Sequence, residues 1–302
     1  MTRDTTGRVR AIVREAAVRT PLVPFETVWL KLENIQPFGS FKIRGAYHAV
    51  RSLSKEERAR GVWTVSAGNM GQGLAYAARK VGVPCMVVVP DSAPETKCAS
   101  MESLGARLLR VPFERWWQAI EERAFPGAEG VFIHPCDDER VIAGNSTIGA
   151  EIMEDMPDVD TVIVPWGGGG LACGVAQAVR ATVWAAEVET AAPLKASLDA
   201  GEPRTVERKP SFVDGIGGSS VLPRMFEIAK VRIAGSIVVS IDEVRRAVRD
   251  LAVKAHVVAE GAGAASVAAS RKRGPKIRKT VCVISGGNIE AAVLAEILAD
   301  SR

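Results

Sequence analysis

Short apolar runs rich in β-branched residues alternate along the chain with longer stretches in which apolar residues recur every three or four positions. Strands are predicted at 28–33 (VWLKLE), 61–66 (GVWTVS), 84–90 (PCMVVVP), 106–111 (ARLLRV), 130–135 (GVFIHP), 161–166 (TVIVPW), 183–188 (VWAAEV) and 280–285 (TVCVIS). Helices are predicted at 71–82, 93–104, 114–125, 141–156, 171–181 and 289–298, the first two closed by Gly82 and Gly105. Short strands alternating with long helices imply βαβ units, and these imply an α/β fold with a mostly parallel sheet covered on both faces. The strands read as continuous apolar runs, as doubly buried strands do. Such sheets take ligands beyond the carboxyl ends of their strands. Three strand ends here carry unusual residues: Ser66–Gly71, Gly167–Gly170 and Ser285–Asn288.

Each end has a chemical reading and an ordinary one. In PWGGGGLACG, four consecutive glycines lead from a strand into a helix. The backbone entropy they cost is explained if N–H groups must approach an anion closely at a helix N-terminus, as in a phosphate cradle. The same stretch fits a dinucleotide fingerprint, with Gly167, Gly169 and Ala172 as GxGxxA and Glu187 closing the next strand. In SAGNMGQG, Ser66 and Asn69 can cap a helix, or the loop can cradle a carboxylate. Ser285 and Asn288 in ISGGNIE offer either an N-cap or a hydroxyl for a ligand ring nitrogen. Glu260 stands among small residues in HVVAEGAGAASVAA, and Asp214 stands beside a glycine in SFVDGIGG. Lys42 sits between Phe41 and Ile43 after a Pro-Phe-Gly-Ser run. An apolar setting disfavours an ammonium and suits a lysine that must act as a neutral amine. His48, His134 and His256 follow no ligand spacing and read as structural; no metal motif, nucleophile elbow or HExxH pattern is present in the sequence.

Composition narrows the class. The 302 residues are 47% apolar, enough for one large or two modest domains. Lys+Arg 39 against Asp+Glu 35 leaves +4, too small and too spread for a nucleic-acid surface. The densest basic run, 271–279 (RKRGPKIRK), reads as a solvated loop. Five scattered cysteines read as reduced core residues of a cytoplasmic protein. The N-terminus lacks an apolar signal region, and no stretch reaches the roughly 18 apolar residues of a membrane span.

The stretches GSFKIRGA, SAGNMGQG, GGGGL and SGGN, in that order, resemble the fold-type II pyridoxal-phosphate enzymes. The chain is most similar to the threonine/serine dehydratases (ammonia-lyases) and their relative serine racemase, from about Thr20 to about Asn288. The resemblance implies two doubly wound domains of the tryptophan-synthase-β-like kind, a large one at 1–47 plus 137–302 and a small inserted one at 48–136. It implies that Lys42 forms the Schiff base with pyridoxal 5'-phosphate and moves the substrate α-proton. By the same resemblance Phe41 would pack near the ring, Asn69 would bond its phenolic oxygen, and Gly167, Gly168, Gly169, Gly170 and Leu171 would hold the phosphate. Ser285 faces the pyridine nitrogen, and Glu260 is counted with the cofactor's neighbours. Ser66, Ala67, Gly68, Asn69 and Met70 wrap the substrate carboxylate. The implied reaction is β-elimination of water from threonine or serine to a 2-oxo acid and ammonia, with phenylserine or hydroxyaspartate as bulkier alternatives.

Departures from the pattern matter. Met70 replaces the usual histidine and softens the pocket. Ala67 stands where serine racemase has its second acid/base serine, which disfavours the racemase alternative. Pro193 stands where a racemase-like metal site needs an aspartate, so no metal is expected despite Glu187. AGNST (143–147) replaces the usual AGQGT. A homodimer acting on an amino acid is expected, without a C-terminal regulatory domain. A nicotinamide-dependent oxidoreductase using the GxGxxA match, which has no need of Lys42 or Ser285, and a non-catalytic sensor are the readings from other classes.

Overall fold

A computed structural model describes residues 3–274 and 279–300. Its strands are β1 (Leu22–Phe25), β2 (Val28–Leu32), β3 (Val62–Val65), β4 (Cys85–Pro90), β5 (Arg107–Val111), β6 (Val131–Phe132), β7 (Thr161–Pro165), β8 (Thr182–Val188), β9 (Ser236–Val239) and β10 (Thr280–Ile284). Its helices are α1 (Arg3–Arg14), α2 (Lys42–Arg51), α3 (Lys55–Ala59), α4 (Asn69–Val81), α5 (Glu95–Ser103), α6 (Phe113–Glu122), α7 (Glu139–Asp155), α8 (Gly170–Ala178), α9 (Pro193–Ala200), α10 (Pro223–Arg232), α11 (Ile241–Lys254), α12 (Gly261–Arg273) and α13 (Ala291–Ala299).

Backbone contacts divide the chain into two units, Met1–Val18 with Lys42–Thr147, and Arg19–Phe41 with Ile148–Arg302. These joints differ from the sequence-based boundaries at 47/48 and 136/137. The reason is helix packing. α2 lies against α4, where a Cβ on Gly73 would come within 3.2 Å of the Lys42 carbonyl carbon. It also lies against the first half of α7, where a Cβ on Gly144 would come within 2.4 Å of the Arg44 oxygen. Counting strands cannot reveal such approaches.

The first unit holds a parallel sheet in the order β5-β4-β3-β6. The central strands β3 and β4 are buried throughout, while the edge strand β5 is partly exposed. The second unit holds a sheet in the order β1-β2-β10-β7-β8-β9, parallel except for the β1–β2 hairpin. β7 and β10 are buried along their whole length, consistent with their apolar sequences. They are direct neighbours, so the loops at their carboxyl ends open beside each other. The α/β class and the doubly wound architecture are as expected.

A buried polar network in the second unit steadies the segment leading to Lys42. Lys31 Nζ donates to Glu151 Oε2 at 2.6 Å and to the Thr20 carbonyl at 2.7 Å. The Thr20 hydroxyl and the Gln36 amide both donate to the Glu33 carboxylate. Satisfied partners make such buried charges tolerable; removing one would cost about 3–5 kcal/mol.

Three local expectations change. The basic run is not a loop over 271–273, because α12 continues through Arg273. Arg271 pairs with Glu26 and Asp250, and Arg273 stacks over Trp184 at 3.8 Å. Residues 275–278 of that run lie outside the described residues. α4 begins at Asn69 with Gly68 as its N-cap, so neither Ser66 nor Asn69 caps it. α13 begins after Glu290 without a side-chain cap, so Ser285 and Asn288 are not caps either. Among the described residues, no helix is long and apolar enough to cross a membrane.

Candidate active site

In the second unit, a site forms at the adjoining ends of β7 and β10. After β7 the chain passes through Trp166, and Gly169 turns left-handed at φ 89° as the N-cap of α8. A side chain could not follow there: a Cβ on Gly169 would lie 2.6 Å from the Trp166 ring. Gly170 and Leu171 open the helix and are buried, while Gly168 is exposed. The left-handed glycine and the helix N-terminus together present backbone N–H groups, the geometry that receives a phosphate or carboxylate.

The floor of this site is made by close backbone approach. A Cβ on Gly167 would lie 3.3 Å from the Gly215 oxygen. Glu260, only 4% exposed, is the N-cap of α12, and its N–H donates to the Gly286 oxygen at 3.0 Å. Its carboxylate fits between two glycines; a Cβ would lie 2.5 Å from Oε1 at Gly286 and 3.2 Å at Gly215. Gly167, Gly215, Glu260, Gly286 and Ser285 thus form one contiguous set. Ser285 follows directly on β10 and is 4% exposed. The segment before Lys42 is stapled to it: the Phe41 N–H donates to the Ser285 oxygen at 3.1 Å, and Ser40 pairs with Gly286. The Asn288 amide donates to the Phe38 oxygen at 2.8 Å.

In the first unit, Lys42 is the opening residue of α2, half-buried between buried Phe41 and Ile43. Its Nζ donates to the Pro135 carbonyl at 3.0 Å. Gly73, in the second turn of α4, packs against it, which brings α4 alongside. The Ser66–Met70 loop joins β3 to α4, and the Ser66 hydroxyl accepts from the Gly68 N–H at 3.2 Å. Met70 is buried; Ala67, Gly68 and Asn69 are half-buried.

The residues around Pro135 form a turn the sequence did not flag. His134, 2% exposed, accepts through Nδ1 from the N–H groups of Cys136 and Asp137 at 3.1 and 2.9 Å. Burial, helped by the Arg123 charge, lowers its pKa to about 4. Burial also pushes the Cys136 thiol up to about 11. The signal for this turn was present as a histidine followed by proline at a strand end, but its meaning depends on which ring nitrogen faces the backbone.

Glu187 serves as a cap. It is 1% exposed, and its oxygens accept from Leu194 N, Lys195 N and the Ser236 hydroxyl at 2.8, 2.8 and 2.6 Å. It closes the N-terminus of α9, whose first residue is Pro193. A carboxylate so engaged does not face a ribose, and the dinucleotide reading loses its acidic partner. His48 is also structural, its Nδ1 donating to the Arg140 oxygen at 2.7 Å.

Known proteins bear on this geometry. Residues 13–286 match the family model described as pyridoxal-phosphate dependent enzyme. The chain belongs to this family. It is 42% identical over 280 residues to the L-threonine ammonia-lyase of Thermotoga maritima, covering 90% of this chain and 69% of that one. It is similar to the solved structure of the processed form of threonine deaminase isoform 2 from Solanum lycopersicum, with a TM-score of 0.84 and 28% identity over 99% of this chain and 94% of that one. The serine racemase of Dictyostelium discoideum also matches, with a TM-score of 0.84 and 32% identity over 95% of this chain and 98% of that one. The fold and cofactor implied by the sequence are those of the family. The residues fit the cofactor: the glycine loop at 167–170 leads into the N-terminus of α8 with no side-chain cap, where backbone N–H groups can take a phosphate, and Lys42 supplies an amine in a half-buried setting.

Proposed function

We propose that this enzyme removes water from a β-hydroxy amino acid, with threonine or serine as the default substrate, and releases a 2-oxo acid and ammonia. The observation that carries the reading is 42% identity to an L-threonine ammonia-lyase over nine-tenths of the chain, in a chain that places Lys42 at the head of α2.

The cofactor, when bound, supplies an electron sink for the bond at the substrate's α-carbon. Lys42 would anchor it through Nζ, and its free amine would take the substrate α-proton on Nζ. The Gly167–Leu171 loop would hold the phosphate through backbone N–H groups and the N-terminus of α8. Asn69 and Phe41 would orient the ring. Ser285 would present a neutral hydroxyl to the ring nitrogen, and a hydroxyl would hold a proton there less firmly than a carboxylate. A ring so held would suit elimination over transamination. Glu260 shapes the same floor between Gly215 and Gly286. The Ser66–Met70 loop receives the substrate carboxylate at the N-terminus of α4. Buried Met70 and the Pro37-Phe38 pair favour an apolar side chain, which keeps phenylserine ahead of hydroxyaspartate as a bulkier alternative.

Racemisation needs an acid on the opposite face, and Ala67 carries none. A cytoplasmic location is supported by four buried cysteines held as thiols, Cys85, Cys98, Cys173 and Cys282. The homodimer rests on the resemblance alone, and sedimentation tests it.

The deciding experiment is a visible spectrum before and after borohydride, with peptide mapping, followed by ammonia release across a panel of β-hydroxy amino acids. A yellow protein whose reduced adduct maps to Lys42, with turnover of threonine or serine, supports the reading. Another anchoring residue, or no turnover across the panel, overturns it.

A further inference from the structure

We propose that His134 is a positioning residue for Lys42, holding the turn 134–137 so that the Pro135 carbonyl receives the lysine's amine whenever it is not joined to the cofactor. This rests on the reading of Lys42 as the reactive lysine. Nδ1 of His134 stands where the side-chain oxygen of an asparagine stands in an Asx turn, accepting from the N–H two residues on, Cys136, and again from Asp137. A ring nitrogen that accepts from backbone N–H groups carries no hydrogen, so the ring is neutral with its proton on Nε2.

The turn is tied down on both sides. The Thr64 hydroxyl donates to the Ile133 oxygen at 2.8 Å, and the Ile133 N–H donates to the Trp63 oxygen at 2.8 Å, which fixes the entry to β3. Asp137 pairs with Arg123 at the exit. Between these anchors the Pro135 carbonyl points at Lys42 Nζ, 3.0 Å away. The charged groups acting on the ring are Arg123 and Lys42, which oppose its protonation, and Asp137 and Asp138, which favour it; burial outweighs all four.

A carbonyl in this place does two things for the proposed chemistry. It accepts one hydrogen of the neutral amine and so fixes where the lone pair points. Once Nζ has taken up a proton, the same carbonyl accepts from an ammonium, a stronger bond that favours the transfer. The Cys136 thiol beside it stays neutral, being pushed up to about 11, and adds no competing charge.

Two substitutions in the cofactor-loaded enzyme separate this role from mere packing. His134→Leu removes the acceptor, and His134→Asn restores one at similar reach. The Leu variant should lose kcat by about ten- to hundredfold, the scale of a reacting group misplaced by about an ångström, with KM held within about twofold. The Asn variant should recover to within about threefold of wild type by the same argument. Independently of activity, the pH titration of the Lys42-linked chromophore should move in the Leu variant and stay in place in the Asn variant. A folded Leu variant with wild-type kcat and titration overturns the proposal, as does an Asn variant that fails as badly as Leu. If His134→Leu does not fold, wild type and His134→Asn are compared between pH 4 and 6.5. Wild type should then lose kcat reversibly as the ring gains its proton while the Asn variant does not; identical acid limbs overturn the proposal. Should wild type turn over no β-hydroxy amino acid, the chromophore titration still decides, and that failure belongs to the substrate reading.

Discussion

Helices α8 and α9 follow neighbouring parallel strands of one sheet, yet their N-termini are finished in opposite ways. α9 receives an anion from the chain itself: Glu187 accepts from the N–H groups of Leu194 and Lys195, and Ser236 supplies a further donor. α8 has no side-chain cap, and its N-cap is a left-handed glycine. Both ends favour negative charge for the same reason, the orphan N–H groups and the dipole of the first turn. The difference is whether the anion is built in. Under the proposed function the α8 start takes its anion from a ligand, since the four glycines at 167–170 offer no carboxylate of their own.

The largest effect should come from asking what the α8 end can do alone. Lys42→Ala should leave the fold intact and lower turnover by more than about a thousandfold, through loss of the nucleophile and base. The phosphate should still be received at α8, so the variant should bind the cofactor without a covalent link and lose it on gel filtration. Substantial remaining ammonia release would remove Lys42 from its role. A variant unable to bind cofactor at all would mean that the α8 end contributes little.

Making α8 resemble α9 should give the next largest effect. Gly168 is exposed and does not adopt a positive φ, so an aspartate fits without backbone strain. Its carboxylate would meet the phosphate at a few ångströms, a repulsion of about 3 kcal/mol at an effective dielectric near 20. Gly168→Asp should therefore weaken cofactor binding by about a hundredfold with the melting temperature of the apoprotein unchanged. Unaltered cofactor affinity, read by fluorescence titration, would break the comparison between the two helices.

The reverse change should be smaller and should fall on stability. Glu187→Gln keeps the shape but offers one acceptor oxygen where two serve α9, leaving a buried N–H poorly paired at about 1–3 kcal/mol. Cofactor affinity should not move. Burial raises the Glu187 pKa, against the opposing bonds from Ser236, Leu194 and Lys195. A raised folded-state pKa contributes stability that is full below about 4.5 and is lost as pH rises through the folded value. The stability gap between wild type and variant in urea should narrow as pH rises; a gap that widens would contradict the burial of a costly charge.

The same contrast explains what could be read from the sequence. The continuous apolar strands, such as TVIVP at 161–165 and TVCVI at 280–284, announced a buried parallel sheet, and the glycine run announced an end without a side chain. Both are local patterns. Glu187 was legible as a strand-end carboxylate but not as a cap, because its partner helix begins only after an intervening turn; Pro193 at the first helical position was the clue. β1 was missed since Pro24 interrupts it and it is only partly buried. α11 was missed although Ser240 and Glu243 form a capping box ahead of an amphipathic run, a signal that sequence spacing does contain. The meeting of Glu260 with Gly215 and Gly286 was out of reach, since it depends on loops far apart in the chain approaching within van der Waals contact.

A third helix start, that of α4, sharpens the comparison most finely. Its N-cap is Gly68, again without a side-chain bond, and the half-buried Ala67 precedes it. Under the proposed function this end receives the substrate carboxylate, and a hydroxyl at 67 would add a proton donor beside it. Ala67→Ser should raise racemisation relative to elimination by about two- to tenfold, well short of the roughly 10²–10⁴ available to a fully placed acid–base group. The ratio is read by following loss of optical activity and ammonia release in the same sample. An unchanged ratio would mean that the face opposite Lys42 is controlled elsewhere, and that the bareness of α4's start serves only to bind an anion, the role proposed for α8.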